Sequence, residues 1–572
     1  MLQIMQRMPA PHWALLERQL LDALPPAIEA FYEHYFDERG YLDCFARWGA
    51  LDGPDDAIEN VTGWTEIYAL GGPERLLELY KRGMEGHIRQ YAEARTEGFA
   101  PSREGMYYKE YPTAFDPVHN AEGYHGIYQQ GLCEPDDPRW QGRIRRFAGF
   151  YMNEDPGAPN YDAELKMIRS MMTGSRGPVL YNTSPTDWGG DPFEVEGRFT
   201  PLRWHRTWDD YVEHFSSYVQ APGDNPCNLA NTLMALQAYM FSGEQKYYDW
   251  ITEYLDAWIA RGDANGGLMP THIAIDGSLG GPEGRWWGSV YGWDHKAFFH
   301  DIAPYGFGNG LLLTGDAKYV DVWRRHLDAV VAEGREEEGE MRYPRKRGDD
   351  GFYEYRADLA DFGALQVYYW SLRESDRQRA SAHPWVQYLS GDNPDYPVAR
   401  LQGDLEALRS CVTRRVEDTT TADTRLSEWP NNMNPGGTIW GLILLMLGAL
   451  PSHHIGVPWH ARVRYFDVEK QRPGIPEGVA SLVDSMSEED ASGSHEVGVT
   501  LVNIDTLRPK TLVLQGGAYG EHQIQSAAVD EAEPATVDAN RVTVSMAPGS
   551  GARLRLRMRR YANRPSLSLP WQ

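Results

Sequence analysis

A weakly repeated helical hairpin is the feature that most constrains the fold of this chain. In one copy, the apolar residues 228–241 precede a Ser-Gly-Glu turn and an amphipathic segment that opens at Lys246. In a second copy, residues 308–313 precede a Thr-Gly-Asp turn and an amphipathic segment that opens at Lys318. Each copy predicts an apolar helix, a glycine turn and a second helix with one wet face.

A looser copy of this hairpin lies nearer the amino terminus, where Trp64 to Leu70 is followed by Gly71 and by Leu76, Leu77 and Tyr80. A helix that is apolar nearly all round must be buried, and its amphipathic partner must cover it. Several such hairpins are expected to close into a ring with an inner and an outer layer of helices. A solenoid would give the same pattern, but the long and irregular spacers favour the closed ring.

The spacers between hairpins also predict where a binding site lies. The turns inside the hairpins are short, whereas residues 96–132, 264–299 and 334–355 form long links from one outer helix to the next inner helix. In a ring of antiparallel hairpins, all such links emerge at the same end. Long, aromatic-rich links on a rigid scaffold are expected to carry the binding cleft.

The carboxyl-terminal part of the chain predicts a different class of structure. From about His454, short β-prone runs alternate with Gly, Pro and Asp turns, as at residues 499–502, 511–514, 542–544 and 554–557. The expected fold is therefore mainly α: an (α/α) toroid over residues 1–453, followed by an antiparallel β-sandwich over residues 454–572.

Composition excludes several classes of partner. Among 572 residues the formal net charge is −27, and no Lys/Arg run is long enough to follow a nucleic-acid backbone. No window approaches the roughly twenty apolar residues of a membrane helix, and Met1 to Met8 does not resemble a secretory signal. A cytoplasmic protein is expected, unless a leader has been removed. A homodimer is compatible with these features.

Familiar catalytic motifs are absent from the sequence. There is no GxSxG elbow, HExxH pair, Walker loop or Rossmann fingerprint. The four cysteines are scattered, and no His/Cys spacing indicates a metal site, although distant loops could still assemble one. No cofactor and no metal are expected.

Helical hairpins with glycine turns, aromatic links at one end and a terminal β-domain resemble the (α/α)-toroid carbohydrate-active enzymes. That group includes the alginate- and heparin-type polysaccharide lyases and the six-hairpin glycosidases. The resemblance covers nearly the whole chain at the level of architecture and rests on no family motif. It implies an oligo- or polysaccharide substrate more firmly than it implies a reaction.

The densest candidate for chemistry is Asp116 to Gly126, interpreted as a loop. In the toroid lyases, as the resemblance implies, Asn or Arg neutralises a uronate, His or Tyr removes the C5 proton, and Tyr protonates the leaving oxygen. Here His119 or His125 is the candidate base, Tyr124 the acid and Asn120 the carboxylate clamp. The alternative is a loop whose histidines only satisfy neighbouring carbonyl groups.

A second candidate is the glycine- and tryptophan-rich segment from Thr271 to Lys296. Its flat indole faces can stack on sugar rings, and its polar side chains can bind or react, although some of the tryptophans are expected to pack beneath the link. The candidate residues are His272, Arg285, Trp286, Trp287, Tyr291, Trp293, Asp294, His295 and Lys296. Further links supply Asp187 to Asp191, Arg203, His205, Arg206, Asp349, Asp350 and Glu428 to Asn432. The arginines matter because a uronate or sulfate requires a fork-shaped cation.

These features together predict cleavage of a glycosidic bond, with β-elimination from a uronate-containing glycan as the leading hypothesis. Catalytic roles are assigned to His119, Tyr124, His125, Tyr291 and Asp294. A hydrolase using two carboxylates is the main alternative. Its candidate carboxylates are Asp116, Glu122, Asp187, Asp191, Asp276, Asp294, Asp349 and Asp350. A non-catalytic glycan-binding protein and a sugar epimerase also remain open.

Overall fold

The structure is a computed structural model. It describes residues 1–44, 53–95, 99–182, 209, 222–294, 297–359, 362–450 and 457–572; for residues 53, 117, 118 and 120–123 it describes the backbone alone. Within these residues, no helix is long and apolar enough to cross a membrane.

The amino-terminal three quarters of the chain is built from helices. In chain order they are α1 (His12–Tyr35), α2 (Gly53–Glu59), α3 (Trp64–Leu70), α4 (Glu74–Glu93), α5 (Pro117–Cys133), α6 (Pro138–Tyr151), α7 (Thr232–Ser242), α8 (Gln245–Ala264), α9 (Phe299–Thr314), α10 (Lys318–Ala332), α11 (Ala364–Ser371), α12 (Glu374–Arg379), α13 (Pro384–Leu389), α14 (Tyr396–Glu417) and α15 (Trp440–Leu447).

These helices form an (α/α) toroid. The inner helices contact one another in the order α3, α5, α7, α9 and α11, and α4, α6, α8 and α10 follow them as an outer layer. The hydroxyl group of Tyr369 in α11 donates to the carbonyl of Gly448, which follows α15 (2.9 Å). The ring closes where α1 packs on α14 and where the indole N–H of Trp64 donates to Asn434 Oδ1 (3.0 Å).

The glycine turns predicted inside the hairpins are confirmed. The residue after α7 is Gly243 and the residue after α9 is Gly315, and both have a φ of +71°. This left-handed conformation reverses the chain directly after the inner helix, and glycine adopts it without a Cβ clash. The helix α15 is buried from Gly441 to Leu447.

Two segments interpreted as links have regular structure instead. Residues 117–133 are the inner helix α5, not a loop, because Asp116 caps it: Asp116 Oδ1 accepts the backbone N–H of His119 (3.3 Å), and Pro117 occupies the first helical position. The link before α11 contains an antiparallel sheet of β6 (Arg335–Glu337), β7 (Glu340–Gly348) and β8 (Gly351–Arg356). Shorter two-residue pairs are β2 (Tyr107–Tyr108) with β3 (Tyr111–Pro112), and β4 (Tyr161–Asp162) with β5 (Met167–Ile168).

The carboxyl-terminal part is a sandwich of two five-stranded sheets. The remaining strands are β1 (Leu2–Ile4), β9 (Val463–Asp467), β10 (Arg472–Pro473), β11 (Val479–Met486), β12 (Ser494–Asn503), β13 (Lys510–Gly516), β14 (Gln523–Val529), β15 (Ala535–Ala539), β16 (Arg541–Met546) and β17 (Gly551–Arg559). One sheet has the order β1-β16-β13-β9-β10 and the other β11-β12-β17-β14-β15. All pairings are antiparallel except that of β1 with β16, so the amino terminus contributes a strand to this domain. The boundary at residues 453/454 stays a prediction.

Buried polar contacts join the ring to the sandwich. Glu17 in α1 is completely buried, and its Oε1 accepts the backbone N–H of Ser481 in β11 (3.0 Å). Arg464 in β9 donates to the carbonyl of Leu132 in α5. Because both contacts are sequestered from water, removing one partner of either contact would leave a buried polar group unpaired.

Burial raises the pKa of Glu17 from 4.5 to about 8. Between these values the folded chain keeps a proton that the unfolded chain has lost, so Glu17 lowers stability progressively as the pH rises from about 5 to 8. We predict that Glu17→Gln, which can still accept the Ser481 N–H, gains roughly 2–4 kcal/mol over wild type between pH 5 and pH 8. Denaturant unfolding at both pH values measures this gain. The exposed Glu33→Gln in the same helix is the control, and a gain that does not change with pH would contradict the account.

Candidate active site at the starts of the inner helices

The candidate site lies at the end of the ring where the inner helices begin. His119 is the third residue of α5, and Tyr291 belongs to the link that precedes α9. In a ring of antiparallel hairpins, the links from outer to inner helices are expected to meet at this end. Two segments separated by 172 residues in sequence thus contribute neighbouring side chains.

Asp116, His119 and Tyr291 form one hydrogen-bonded group. Asp116 is completely buried, and its Oδ2 lies 2.6 Å from His119 Nδ1. The Tyr291 hydroxyl lies 3.4 Å from the same nitrogen. The side chain of His119 remains one-fifth exposed. With Asp116 accepting from a protonated Nδ1, the other ring nitrogen, Nε2, is left as a proton acceptor.

The same aspartate therefore orients the helix and the imidazole. One oxygen of Asp116 caps α5 and the other holds the ring of His119, three residues along. An aspartate at a helix start, followed by Pro and then His at the third position, is sufficient to produce this arrangement. Phe115 packs against the ring of His119 at 4.8 Å between centroids.

Tyr291 has a backbone conformation that is unfavourable for its type. Its φ is +59°, in the left-handed region that bulky side chains rarely adopt. The surrounding link maintains it: Gly292 accepts from the N–H of Ala297, and the Tyr291 ring meets Phe298 edge to face at 5.3 Å. Such strain is found preferentially at functional sites.

His125, one of the predicted bases, occupies a separate buried network. Its Nε2 lies 2.9 Å from Glu66 Oε2 in α3, and the indole N–H of Trp459 donates to Glu66 Oε1 (2.8 Å). Glu66 and His125 line a cavity of about 340 Å³ between α3, α5 and α15. Other residues that line it include Glu59, Thr62, Asn431 and Trp440.

Tyr124 lies on the far side of α5, inside the aromatic core. Its ring stacks on Tyr111 at 4.9 Å, and Phe147 packs beside it at 5.3 Å. Burial raises the pKa of Tyr124 well above its ordinary value. The side chain is 2% exposed, much as that of Tyr291 is at 3%, but its ring packs among core aromatic rings and not beside His119 as the Tyr291 ring does.

Arg285 is already paired with an acid. Its guanidinium makes two hydrogen bonds to Asp349 in the turn between β7 and β8 (3.1 and 3.0 Å). The half-buried rings of Trp286 and Trp287 meet at right angles, 5.7 Å apart. Arg347 in β7 covers both rings, with its guanidinium carbon 4.0 Å from the Trp287 centroid.

Three further predicted residues have mainly packing or backbone contacts. Trp293 is completely buried and donates its indole N–H to the carbonyl of Met269 (3.0 Å), so it has no face to offer a sugar. His272 is largely buried, which lowers its pKa. Asp294 keeps an exposed edge, but the protein around its carboxyl group raises its pKa to about 6.

The remaining predicted residues cannot be placed. Arg203, Arg206, His205, His295 and Lys296, together with Asp187 and Asp191, lie outside the described residues, as do the side chains of Asn120 and Glu122. Of the other hydrolase candidates, Asp276 is exposed and accepts hydrogen bonds from Ser278. No described cluster of His, Cys, Asp and Glu has an arrangement that could hold a metal ion.

The structure also reveals site residues that sequence reasoning missed. Glu59 and Glu66 lie in the helices α2 and α3, whereas sequence reasoning sought site residues in the links. Arg347 is one of many charged residues in 334–355, and nothing in the sequence distinguishes it from the others. A signal was available for Glu66: a carboxylate in the first turn of a helix otherwise apolar enough to be buried.

The chain belongs to the protein family described as "Domain of unknown function (DUF8034)", which matches residues 3–364, from β1 to the first residue of α11. No curated protein matches the sequence. Among solved structures, the α-1,6-mannanase GH76A of Salegentibacter sp. HEL1_6 is 12% identical, with 74% of this chain and 99% of the mannanase covered at a TM-score of 0.32.

Two cellobiose 2-epimerases are also similar to part of the chain. The enzyme of Bacillus thermoamylovorans is 12% identical, and the match covers 60% of this chain and 94% of the epimerase chain at a TM-score of 0.22. The enzyme of Spirochaeta thermophila is 14% identical, and the match covers 60% of this chain and 92% of the epimerase chain at a TM-score of 0.23. Scores this low support no functional assignment.

The contrast between Trp293 and Trp286 is testable. Truncating the buried Trp293 to Ala is expected to cost about 3–5 kcal/mol of unfolding free energy, because it leaves a cavity and an unpaired Met269 carbonyl. Trp286→Ala should cost about 1 kcal/mol or less, because this side chain is only partly buried. Denaturant unfolding followed by circular dichroism compares the two. Equal losses would show that Trp293 is not a core residue.

Proposed function

We propose that this protein is a carbohydrate-active enzyme that cleaves a glycosidic bond in an oligo- or polysaccharide, by β-elimination from a uronic acid. The observation that carries the proposal is the hydrogen-bonded group of Asp116, His119 and Tyr291 at the start of an inner helix. It combines an oriented base with a neighbouring phenol, the two proton-transfer groups that elimination requires.

His119 is the proposed base. Asp116 fixes the imidazole with Nδ1 protonated, so that Nε2 can remove the proton at C5 of a uronic acid. A buried carboxylate beside Nδ1 also stabilises the imidazolium that forms when Nε2 takes this proton. The partial exposure of His119 leaves room for a substrate to approach the ring.

Tyr291 is the proposed acid. As the C5–H bond breaks, its electron pair forms the C4–C5 double bond, and the bond from C4 to the leaving oxygen breaks. The leaving oxygen takes the phenolic proton of Tyr291. The products are an unsaturated uronate and a new reducing end. The phenolate lies 3.4 Å from Nδ1 of the imidazolium, whose positive charge stabilises it. The cycle closes when solvent takes the Nε2 proton from the imidazolium and returns a proton to the Tyr291 oxygen, with Nδ1 remaining protonated towards Asp116.

Hydrolysis is the second candidate, and a specific observation favours it. Glu59 and Glu66 line the same 340 Å³ cavity between α3, α5 and α15, called the central cavity below, and a pair of carboxylates on one cavity is what a glycoside hydrolase uses. In this route one carboxyl group protonates the leaving oxygen, and the other acts as nucleophile or activates water. The Asp116–His119–Tyr291 group would then have no direct part in bond cleavage.

The proposal is tested by incubating the full chain with a panel of uronate and neutral glycans. Ultraviolet absorbance of unsaturated uronate and the release of reducing ends are followed together. Both signals rising in step on a uronate glycan would support β-elimination. Reducing ends without the absorbance would support hydrolysis, and glycan binding without turnover would support a binding protein.

The base is tested with Asp116→Asn and His119→Ala. Asparagine still caps α5 but no longer supplies the charge that orients and stabilises the imidazole. Both variants are expected to reduce kcat by about 10²–10⁴-fold while leaving the melting temperature nearly unchanged for Asp116→Asn. The exposed His12→Ala is the matched control. Unchanged kcat in both site variants would exclude His119 as the base.

A third variant separates the two routes. Glu66→Gln removes a carboxylate from the central cavity but retains an oxygen for the Trp459 indole. If elimination occurs at His119, this variant should retain kcat within roughly tenfold, whereas a hydrolase would lose about 10²-fold or more. Steady-state kinetics of Glu66→Gln beside His119→Ala therefore shows which group performs the chemistry.

A further inference from the structure

Arg347 differs from the other cations around the candidate site. Arg285 pairs with Asp349 and Lys346 pairs with Glu354 at 2.7 Å. Among the described residues, no carboxylate lies within ion-pair distance of the Arg347 guanidinium. In a chain with a net charge of −27, an arginine that forms no ion pair with a described residue needs an explanation.

Aromatic rings hold this guanidinium in place. Its carbon lies 4.0 Å from the ring centre of Trp287, 4.9 Å from Trp286 and 5.5 Å from Phe352. The backbone N–H of Arg347 donates to the carbonyl of Trp293 (2.8 Å), which fixes β7 against the link that carries Tyr291. The position of the charge is therefore set by packing and not by a salt bridge.

Two buried hydrogen-bond donors at this position find no acceptor in the described part of the chain. They are Nη1 of Arg347 and the indole Nε1 of Trp287, neither of which contacts an acceptor among the described residues. Burial also lowers the pKa of Arg347. An unpaired buried donor is unfavourable, and more so when it is charged, so an anion binding here would recover that free energy.

We propose that Arg347 and the indole N–H of Trp287 form a subsite for the anionic group, carboxylate or sulfate, of an acidic sugar. The fork of a guanidinium matches the two oxygens of either group, and an indole N–H adds a single neutral donor. The faces of Trp286 and Trp287 supply the apolar surface against which the sugar ring stacks. The ligand class, a sugar, rests on the proposed function.

The subsite is connected to the proposed catalytic group through one link. Trp287 precedes Tyr291 by four residues, and Tyr291 contacts His119. A glycan whose acidic group is held at Arg347 would therefore extend towards the proton-transfer group. This assigns to Arg347 the anion-binding role that sequence reasoning gave to Arg285, whose guanidinium is occupied by Asp349.

The test measures binding without turnover. In the background of His119→Ala, the full chain is titrated with a uronate oligosaccharide, with the same oligosaccharide after its carboxyl groups are reduced to alcohols, and with a sulfated oligosaccharide of equal length. Tryptophan fluorescence and calorimetry give the dissociation constants. Preference for the uronate over the sulfated oligomer, or the reverse, identifies which anion the subsite takes.

Arg347→Gln is expected to weaken binding of the preferred acidic oligomer about 10–100-fold and to leave the carboxyl-reduced oligomer unaffected. Arg347→Lys, which keeps the charge but loses the fork, should fall between. Trp287→Phe keeps a stacking ring without the N–H and should weaken binding several-fold. Lys346→Gln, the same charge change one residue away, is the control.

The proposal is overturned if Arg347→Gln binds the acidic oligomer as tightly as its parent, or if the carboxyl-reduced oligomer binds equally well. Near-ultraviolet circular dichroism shows whether Arg347→Gln has lost its fold. If it has, Trp287→Phe tests the subsite instead, and unchanged binding of the acidic oligomer by that variant overturns the proposal. The catalytic proposal can fail separately. If acidic oligomers bind through Arg347 but the wild-type chain never cleaves them, the anion subsite is supported and the proposed enzymatic activity is contradicted.

Discussion

The inner helices of this protein are apolar on nearly every face and must be shielded from water, and the rest of the structure depends on this constraint. In α7 every residue from Thr232 to Ala238 is buried, and in α15 every residue from Gly441 to Leu447. At roughly 25 cal/mol per Å² of apolar surface, such helices are stable only when neighbours surround them. The outer helices cover one side, the adjacent inner helices cover two more, and closure of the ring at Trp64 and Asn434 leaves no open edge.

Closure of the ring also determines where chemistry can occur. Each hairpin has a short turn at one end and a long link at the other, so the polar and aromatic link residues are expected to collect around one opening. The capping of α5 by Asp116 then directs His119 to that opening, and the strained backbone at Tyr291 directs a phenol to the same place. The β6–β8 sheet holds this link from outside through Arg285, Arg347 and Tyr353, whose hydroxyl donates to the carbonyl of Asp294 (3.3 Å).

The hairpin repeat, the glycine turns and the β-prone terminal runs could be predicted from sequence because each is a local pattern with a single physical meaning. The helix α5 was missed because glycine, histidine and asparagine have low helix propensity, whereas its burial within the ring, a tertiary effect, outweighs that propensity. The contact between His119 and Tyr291 could be proposed but not located, because residues 172 apart meet only through closure of the ring. Trp293 and Trp286 are nearly adjacent and chemically identical, and only the packing distinguishes core from surface.

The most direct test of the account is a crystal structure of His119→Ala with a bound acidic tetrasaccharide. The account predicts a sugar ring on Trp287 with its acidic group at Arg347, and a neighbouring uronate whose C5–H points, within about 4 Å, at the position vacated by the imidazole. A tetrasaccharide held instead between Glu59 and Glu66, with Trp287 and Arg347 unoccupied, would contradict elimination at His119 and favour hydrolysis in the central cavity.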